Sequence, residues 1–263
     1  MLMTNDQNLI LREDFSGSCL LTINRPDKLN ALNRDTILAL HIALNEALAD
    51  TEIRVIMLTG QGEKAFVAGA DIAEFAFFSP EQGEDLAAEG QRLLFDLVAK
   101  ANKPIIAIIN GYALGGGLEL ALSAHMRVAS TSAKMGLPET SLGLIPGYGG
   151  TQRMAQLIGK GRALELICTA GMISADRAYE IGLVNHIYPP EELMDGAHRL
   201  ASAIKKNAPT AVAQAINAVN AGMDQTKGLQ TEIKAFGNCF NTEDFKEGTQ
   251  AFLEKREAHF PGR

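Results

Sequence analysis

Short runs rich in Val, Ile and Leu alternate with segments of helical periodicity through the first two-thirds of the chain, and this alternation restricts the fold more than any other feature. The runs are Cys19–Ile23, Val55–Thr59, Pro104–Ile109, Met126–Ser130 and Leu183–Tyr188, and they read as strands. Between them, Asp35–Asp50 repeats Ile37, Leu40, Leu44 and Leu48 at three- to four-residue spacing. Glu81–Ala101 carries Leu86, Leu93, Leu94, Leu97 and Val98 on one side. Both patterns are those of helices with one apolar face. Strands separated by helices predict an α/β fold with mostly parallel strands. Pro189-Pro190 halts the last strand, and the rest reads as helix only: Glu191–Lys206, Pro209–Ala221, Thr226–Phe240 and Thr242–His259. The expected organisation is an α/β core over 1–195 and a helical C-terminal region over 196–263.

A length of 263 residues suits one large domain, or one domain with an appendage, and can bury a core without disulfides or metals. Cys19, Cys168 and Cys239 are odd in number and far apart, so they suggest neither a disulfide framework nor a metal knuckle, and a reducing, cytoplasmic setting is expected. The first residues lack the basic and apolar regions of a signal peptide, and no stretch reaches the roughly 18 apolar residues of a membrane span. The balance of 24 Lys and Arg against 31 Asp and Glu, with no basic block, disfavours nucleic acid and anionic membrane as partners.

Glycine is only mildly enriched overall, but nine of the 25 fall between residues 110 and 150. Most single glycines answer to packing. The run Gly115-Gly116-Gly117 differs, because it follows a strand and opens the helix Leu118-Glu119-Leu120-Ala121-Leu122, whose first N–H groups form an anion site. It is neither a Walker loop nor a dinucleotide fingerprint. In this setting the acids stand out. Glu119 is the only formally charged side chain from Pro104 to Met126, and Glu139 the only one from Met135 to Gln152. Either alone fits a carboxylate satisfied by backbone amides, but two beside glycine-rich turns point to acid/base chemistry. Ala65–Ile72 reads as a small-residue turn; within it Asp71 fits a helix N-cap, and Ala70 can offer its N–H to a ligand.

Ala68-Gly69-Ala70-Asp71, Asn110 through Glu119, and Pro138-Glu139 through Arg153 resemble the crotonase superfamily, as do Asn24-Arg25-Pro26, Leu29-Asn30-Ala31-Leu32 and Phe252 through Arg256. The resemblance covers essentially the whole chain and is greatest to enoyl-CoA hydratases. It implies a spiral of ββα units with a C-terminal helical region, assembled as homotrimers that pair into homohexamers. It implies an acyl-CoA thioester substrate whose carbonyl oxygen sits in an oxyanion hole made by the N–H groups of Ala70 and Gly116. Losing one such donor typically raises the barrier by about 3–4 kcal/mol. Both glutamates of the hydratase pattern are present, whereas isomerases of the family commonly keep only the second.

The implied reaction is reversible syn addition of water to a trans-2-enoyl-CoA, giving a 3-hydroxyacyl-CoA. Glu119 takes the proton of the attacking water, and Glu139 protonates the α-carbon. No metal or cofactor is expected, CoA being part of the substrate; His41, His125, His186, His198 and His259 lack ligand spacing and read as surface or structural. The resemblance also implies that Lys28, Ala68, Ile72 and Gly147 line the CoA and thioester path, with Phe236 and Lys255 near its nucleotide end, supplied by the same chain or by a neighbouring subunit. The alternatives are an isomerase or another acyl-CoA enzyme of this fold and, remotely, an RNA-binding relative. The last would need a lysine-rich helix, and Glu81–Ala101 carries only Arg92 and Lys100 against five acids.

Overall fold

The computed structural model describes residues 9–207, 209–221, 233 and 236–258. Among these, ten strands form two sheets. The larger has the order β1 (Ile10–Phe15), β2 (Ser18–Ile23), β3 (Val55–Gly60), β5 (Ile105–Ile109), β7 (Met126–Ser130) and β10 (His186–Tyr188). The smaller has the order β4 (Ala65–Ala68), β6 (Tyr112–Leu114), β8 (Lys134–Gly136) and β9 (Met172–Ser174). The first hairpin and the β8–β9 pair are antiparallel, and all other neighbours are parallel. The successive pairs β3–β4, β5–β6 and β7–β8 each give one strand to each sheet before helix follows, so the chain spirals through ββα units.

The helices are α1 (Arg34–Ala49), α2 (Pro80–Gly90), α3 (Asp96–Ala99), α4 (Gly116–Ser123), α5 (Gly150–Ile158), α6 (Lys160–Thr169), α7 (Ala175–Glu180), α8 (Leu193–Lys205), α9 (Pro209–Ala221) and α10 (Glu243–Glu254). Local chemistry sets their starts. The Asn33 side chain accepts the Thr36 N–H ahead of α1, and Ser79 and Gln82 form a capping box with Pro80 at the first turn of α2.

Every residue of β3 and β5 is buried, which is why these strands read as unbroken apolar runs rather than alternating ones. Ile56, Leu58, Ile105 and Ile109 face Leu40, Leu44, Leu94, Phe95 and Leu118. Val55, Met57, Ile106 and Ile108 face the other way, onto Leu193, Ala197 and Ala201 of α8. That helix straddles residue 195 and covers the outer face of the large sheet. All eight residues of α4 are buried. Its last carbonyls are held by the buried Arg127, which donates to Ala121 O at 3.1 Å and Ala124 O at 2.7 Å.

Four sequence expectations change. Glu81–Ala101 is not one α-helix, because a π-helical turn at Gln91–Phe95 separates α2 from α3. The strand expected over Leu183–Tyr188 starts only at His186, since Leu183 N still bonds Ala178 O as the chain leaves α7. Ala65–Ala68, expected within a turn, is strand β4. The last helix stops at Glu254, short of His259, because Lys255 takes the left-handed conformation, φ 55°. Most of Thr226–Phe240 lies outside the described residues. No strand follows Tyr188, and no helix is long and apolar enough to cross a membrane, among the described residues.

Candidate active site

The turns after β4 and β6 lie side by side and each presents a backbone N–H. Ala70 forms a single parallel bridge with Leu32, in which Leu32 N–H donates to Gly69 O at 2.9 Å and Asp71 N–H donates to Leu32 O at 2.7 Å. A residue flanked in this way turns its own N–H to the opposite side. Gly116 is the first residue of α4, where the N–H has no intrahelical acceptor and the positive end of the helix dipole emerges. Gly115 makes the turn possible with φ +50° and ψ −128°, a region closed to residues bearing a Cβ. A Cβ built on Gly116 would stand 3.8 Å from Ala70 N, so the two donors are near neighbours.

Glu119 lies three residues further along, in the first turn of α4, and is 1% exposed. Its Oε1 accepts the N–H groups of Tyr148 and Gly150, both at 2.8 Å. Gly150 is the first residue of α5, so the carboxylate sits against a second helix N-terminus. Burial, reinforced by the charge of Glu119, pushes the Tyr148 phenol up from its usual range, which keeps it protonated. Glu139, half-buried, belongs to the 3₁₀ segment Pro138–Leu142, and its Oε1 stands 2.9 Å from where a Gly115 Cβ would be.

Ala70, Gly116, Glu119 and Glu139 line a single cavity of about 430 Å³. Lys28, Ala68, Ile72, Gly147 and Phe236 line it as well; Lys255 does not, and lies exposed just past the end of α10, which sends Phe252 and Leu253 into the lining instead. Asp71 is not a side-chain cap, because its carboxylate pairs with Arg25 Nη2 at 3.3 Å. Tyr148, Phe75 and Leu144 escape sequence reading although they line the cavity. Tyr148 lies in the long glycine-rich motif, but the N–H it supplies leaves no trace in residue type. Among the described residues no group of three or more His, Cys, Asp or Glu is placed to hold a metal ion.

A family model described as enoyl-CoA hydratase/isomerase matches residues 13–263. The chain is 45% identical over 251 residues to a short-chain-enoyl-CoA hydratase of Clostridium acetobutylicum, 95% of this chain and 96% of that one. It is 44% identical over 256 residues to a crotonyl-CoA hydratase of Syntrophomonas wolfei, 97% and 98% of the two chains. The solved structure of an enoyl-CoA hydratase from Bacillus anthracis, 40% identical, superposes with a TM-score of 0.78 over 97% of this chain and 100% of that one. The chain belongs to the enoyl-CoA hydratase/isomerase family.

Proposed function

We propose that this protein is an enoyl-CoA hydratase, adding water reversibly to a trans-2-enoyl-CoA to give a 3-hydroxyacyl-CoA. The observation that carries the reading is that two glutamates and two outward-facing N–H donors line one cavity. The thioester oxygen binds between the N–H groups of Ala70 and Gly116, where negative charge develops as the conjugated system is attacked. Water lies between the carboxyl groups. Glu119 takes its proton as the oxygen adds to the β-carbon, and Glu139 delivers a proton to the α-carbon. The steps are acid/base steps stabilised by hydrogen bonds, and the reading requires no metal or cofactor beyond the CoA of the substrate.

Relatives carrying the names short-chain-enoyl-CoA hydratase and crotonyl-CoA hydratase make crotonyl-CoA the first substrate to try. Lys28, exposed at the mouth, suits the phosphates of CoA. The same reading carries a cytoplasmic enzyme of fatty acid metabolism, assembled as a trimer or a hexamer, which light scattering on the purified protein distinguishes. The direct test is loss of the conjugated enoyl-thioester absorbance on mixing with crotonyl-CoA. Hydration at enzymic rates supports the reading; double-bond migration without hydration would make the protein an isomerase.

A further inference from the structure

The helical segment facing the 147–153 turn leaves α-geometry at one place, and that place touches the catalytic machinery. At the π-helical turn Gln91–Phe95 the Asp96 N–H bonds back to Gln91 O, an i→i+5 bond in place of the usual i→i+4. On an α-helix residues 91 and 96 would point about 140° apart, at roughly 100° per residue. The wider turn brings residue 96 back over residue 91, so that 91, 95 and 96 share a face.

All three side chains use that face on one target. Gln91 Nε2 donates to Gly147 O at 2.8 Å. The Phe95 ring stacks on Tyr148, centroids 4.5 Å apart and planes 10° apart. Asp96 Oδ1 accepts from Arg153 Nη2 at 3.1 Å, while Arg153 Nη1 donates to Tyr148 O at 2.8 Å. Gln91, Phe95 and Arg153 are buried. The turn thus gripped supplies both N–H groups that hold Glu119 Oε1. Asp96 is partly exposed and also pairs with Lys100 Nζ at 2.7 Å, so its ion pair with Arg153 adds little stability, but it fixes the carbonyl of the residue whose N–H meets Glu119.

We propose that the π-helical turn is a positioning device for the general base, with Gln91, Asp96 and Arg153 as positioning residues that set the orientation of the Glu119 carboxylate through the 147–150 backbone. The proposal rests on the reading of Glu119 as the base.

The test compares Asp96→Asn, Gln91→Met and Arg153→Lys, each alone and combined with Glu119→Gln, in crotonyl-CoA hydration at a temperature where thermal melts show the variants folded. Expected are kcat losses of about 10- to 100-fold for the single variants with KM nearly unchanged, a displaced acid limb of the kcat–pH profile, and little further loss when Glu119 is already Gln. Arg153→Lys keeps the charge but cannot bridge Tyr148 O and Asp96 at once, so it should lose as much as Asp96→Asn. Wild-type kcat in folded Asp96→Asn and Gln91→Met, or a loss that persists in full beside Glu119→Gln, overturns the proposal. Should Asp96→Asn not fold, Gln91→Met carries the same comparison, since it removes one neutral hydrogen bond at similar side-chain volume. If Glu119→Gln alone retains the full rate, it is the reading of the base that fails, and the proposal falls with it.

Discussion

Gly117 and Val67 meet backbone to backbone: a Cβ on Gly117 would stand 2.0 Å from the Val67 carbonyl oxygen and 2.6 Å from the Val67 Cβ. This contact brings α4 against β4, and with it Gly116 against Ala70. Neither partner can yield by rotating a side chain. Gly117→Ala must therefore push the helix off the strand and part the two N–H donors. The expected cost is about 1–3 kcal/mol of stability, measured by urea unfolding, with at least about a 10-fold lower kcat on crotonyl-CoA.

Glu119→Gln and Glu139→Gln keep side-chain size and remove the acid/base function. Each should lower kcat by at least about 10²-fold, followed as enoyl-thioester absorbance. The double variant should be less impaired than the product of the two single losses, because the two acids serve one water. Unchanged rates in both single variants would dismiss the two-acid mechanism.

His125 governs a limb of the stability–pH curve. Ile105 N–H donates to its Nδ1 at 3.0 Å, which requires that nitrogen to be unprotonated, and burial pushes the imidazole down from 6.5 to about 4. Between those values the unfolded chain binds the extra proton and the folded chain does not. The contribution is complete above pH 6.5 and is lost as pH falls through 4, about 3 kcal/mol in all. His125→Asn, whose Oδ1 can still accept from Ile105, should flatten the fall in melting temperature across that window. An equally steep acid limb in the variant would count against this assignment.

The aromatic part of the cavity wall predicts a limit on acyl chain length. Phe75, Leu144 and Phe236 line the cavity and belong to one buried cluster with Phe240 and Phe245. Phe240 has no room behind it, since a Cβ on Gly83 would come within 2.4 Å of its ring. Rates across C4 to C16 enoyl-CoA substrates should fall with length, and Phe75→Ala should raise the ratio of long-chain to short-chain kcat/KM. A profile flat from C4 to C16 would place the acyl chain elsewhere.

How legible the molecule was in its sequence followed the length scale of each signal. β3 and β5 stand out because five or six consecutive residues bury both faces, and β7 because four do. The smaller sheet does not, since AFVA, YAL, KMG and MIS are too short to show a period and are strands only because neighbours pair with them. The π-helical turn was hidden because one residue of slippage leaves Leu86, Leu94 and Leu97 looking like a continuous stripe. Glu119 and Glu139 were visible as lone charges in apolar, glycine-rich sequence. The partners of Glu119 were not, because they are peptide N–H groups, which every residue but proline carries. Lys255, a basic residue in a matching motif, lies outside the cavity of its own chain, where Phe252 and Leu253 take the lining positions.

Gly116 and Glu119 ride on the same turn of α4, a helix buried along its whole length and pinned at its far end by Arg127. Three residues of helix are about 4.5 Å of rise, so, on the proposed mechanism, the gap between the oxyanion donor Gly116 and the base Glu119 is a fixed gauge rather than an adjustable loop. Ala70 and Glu139 stand on separate segments, the turn after β4 and the 3₁₀ segment Pro138–Leu142. Chemistry on this scaffold can thus diversify cheaply by replacing or retiming the proton donor, whereas any change in the spacing of oxyanion and base would require rebuilding the centre of the fold.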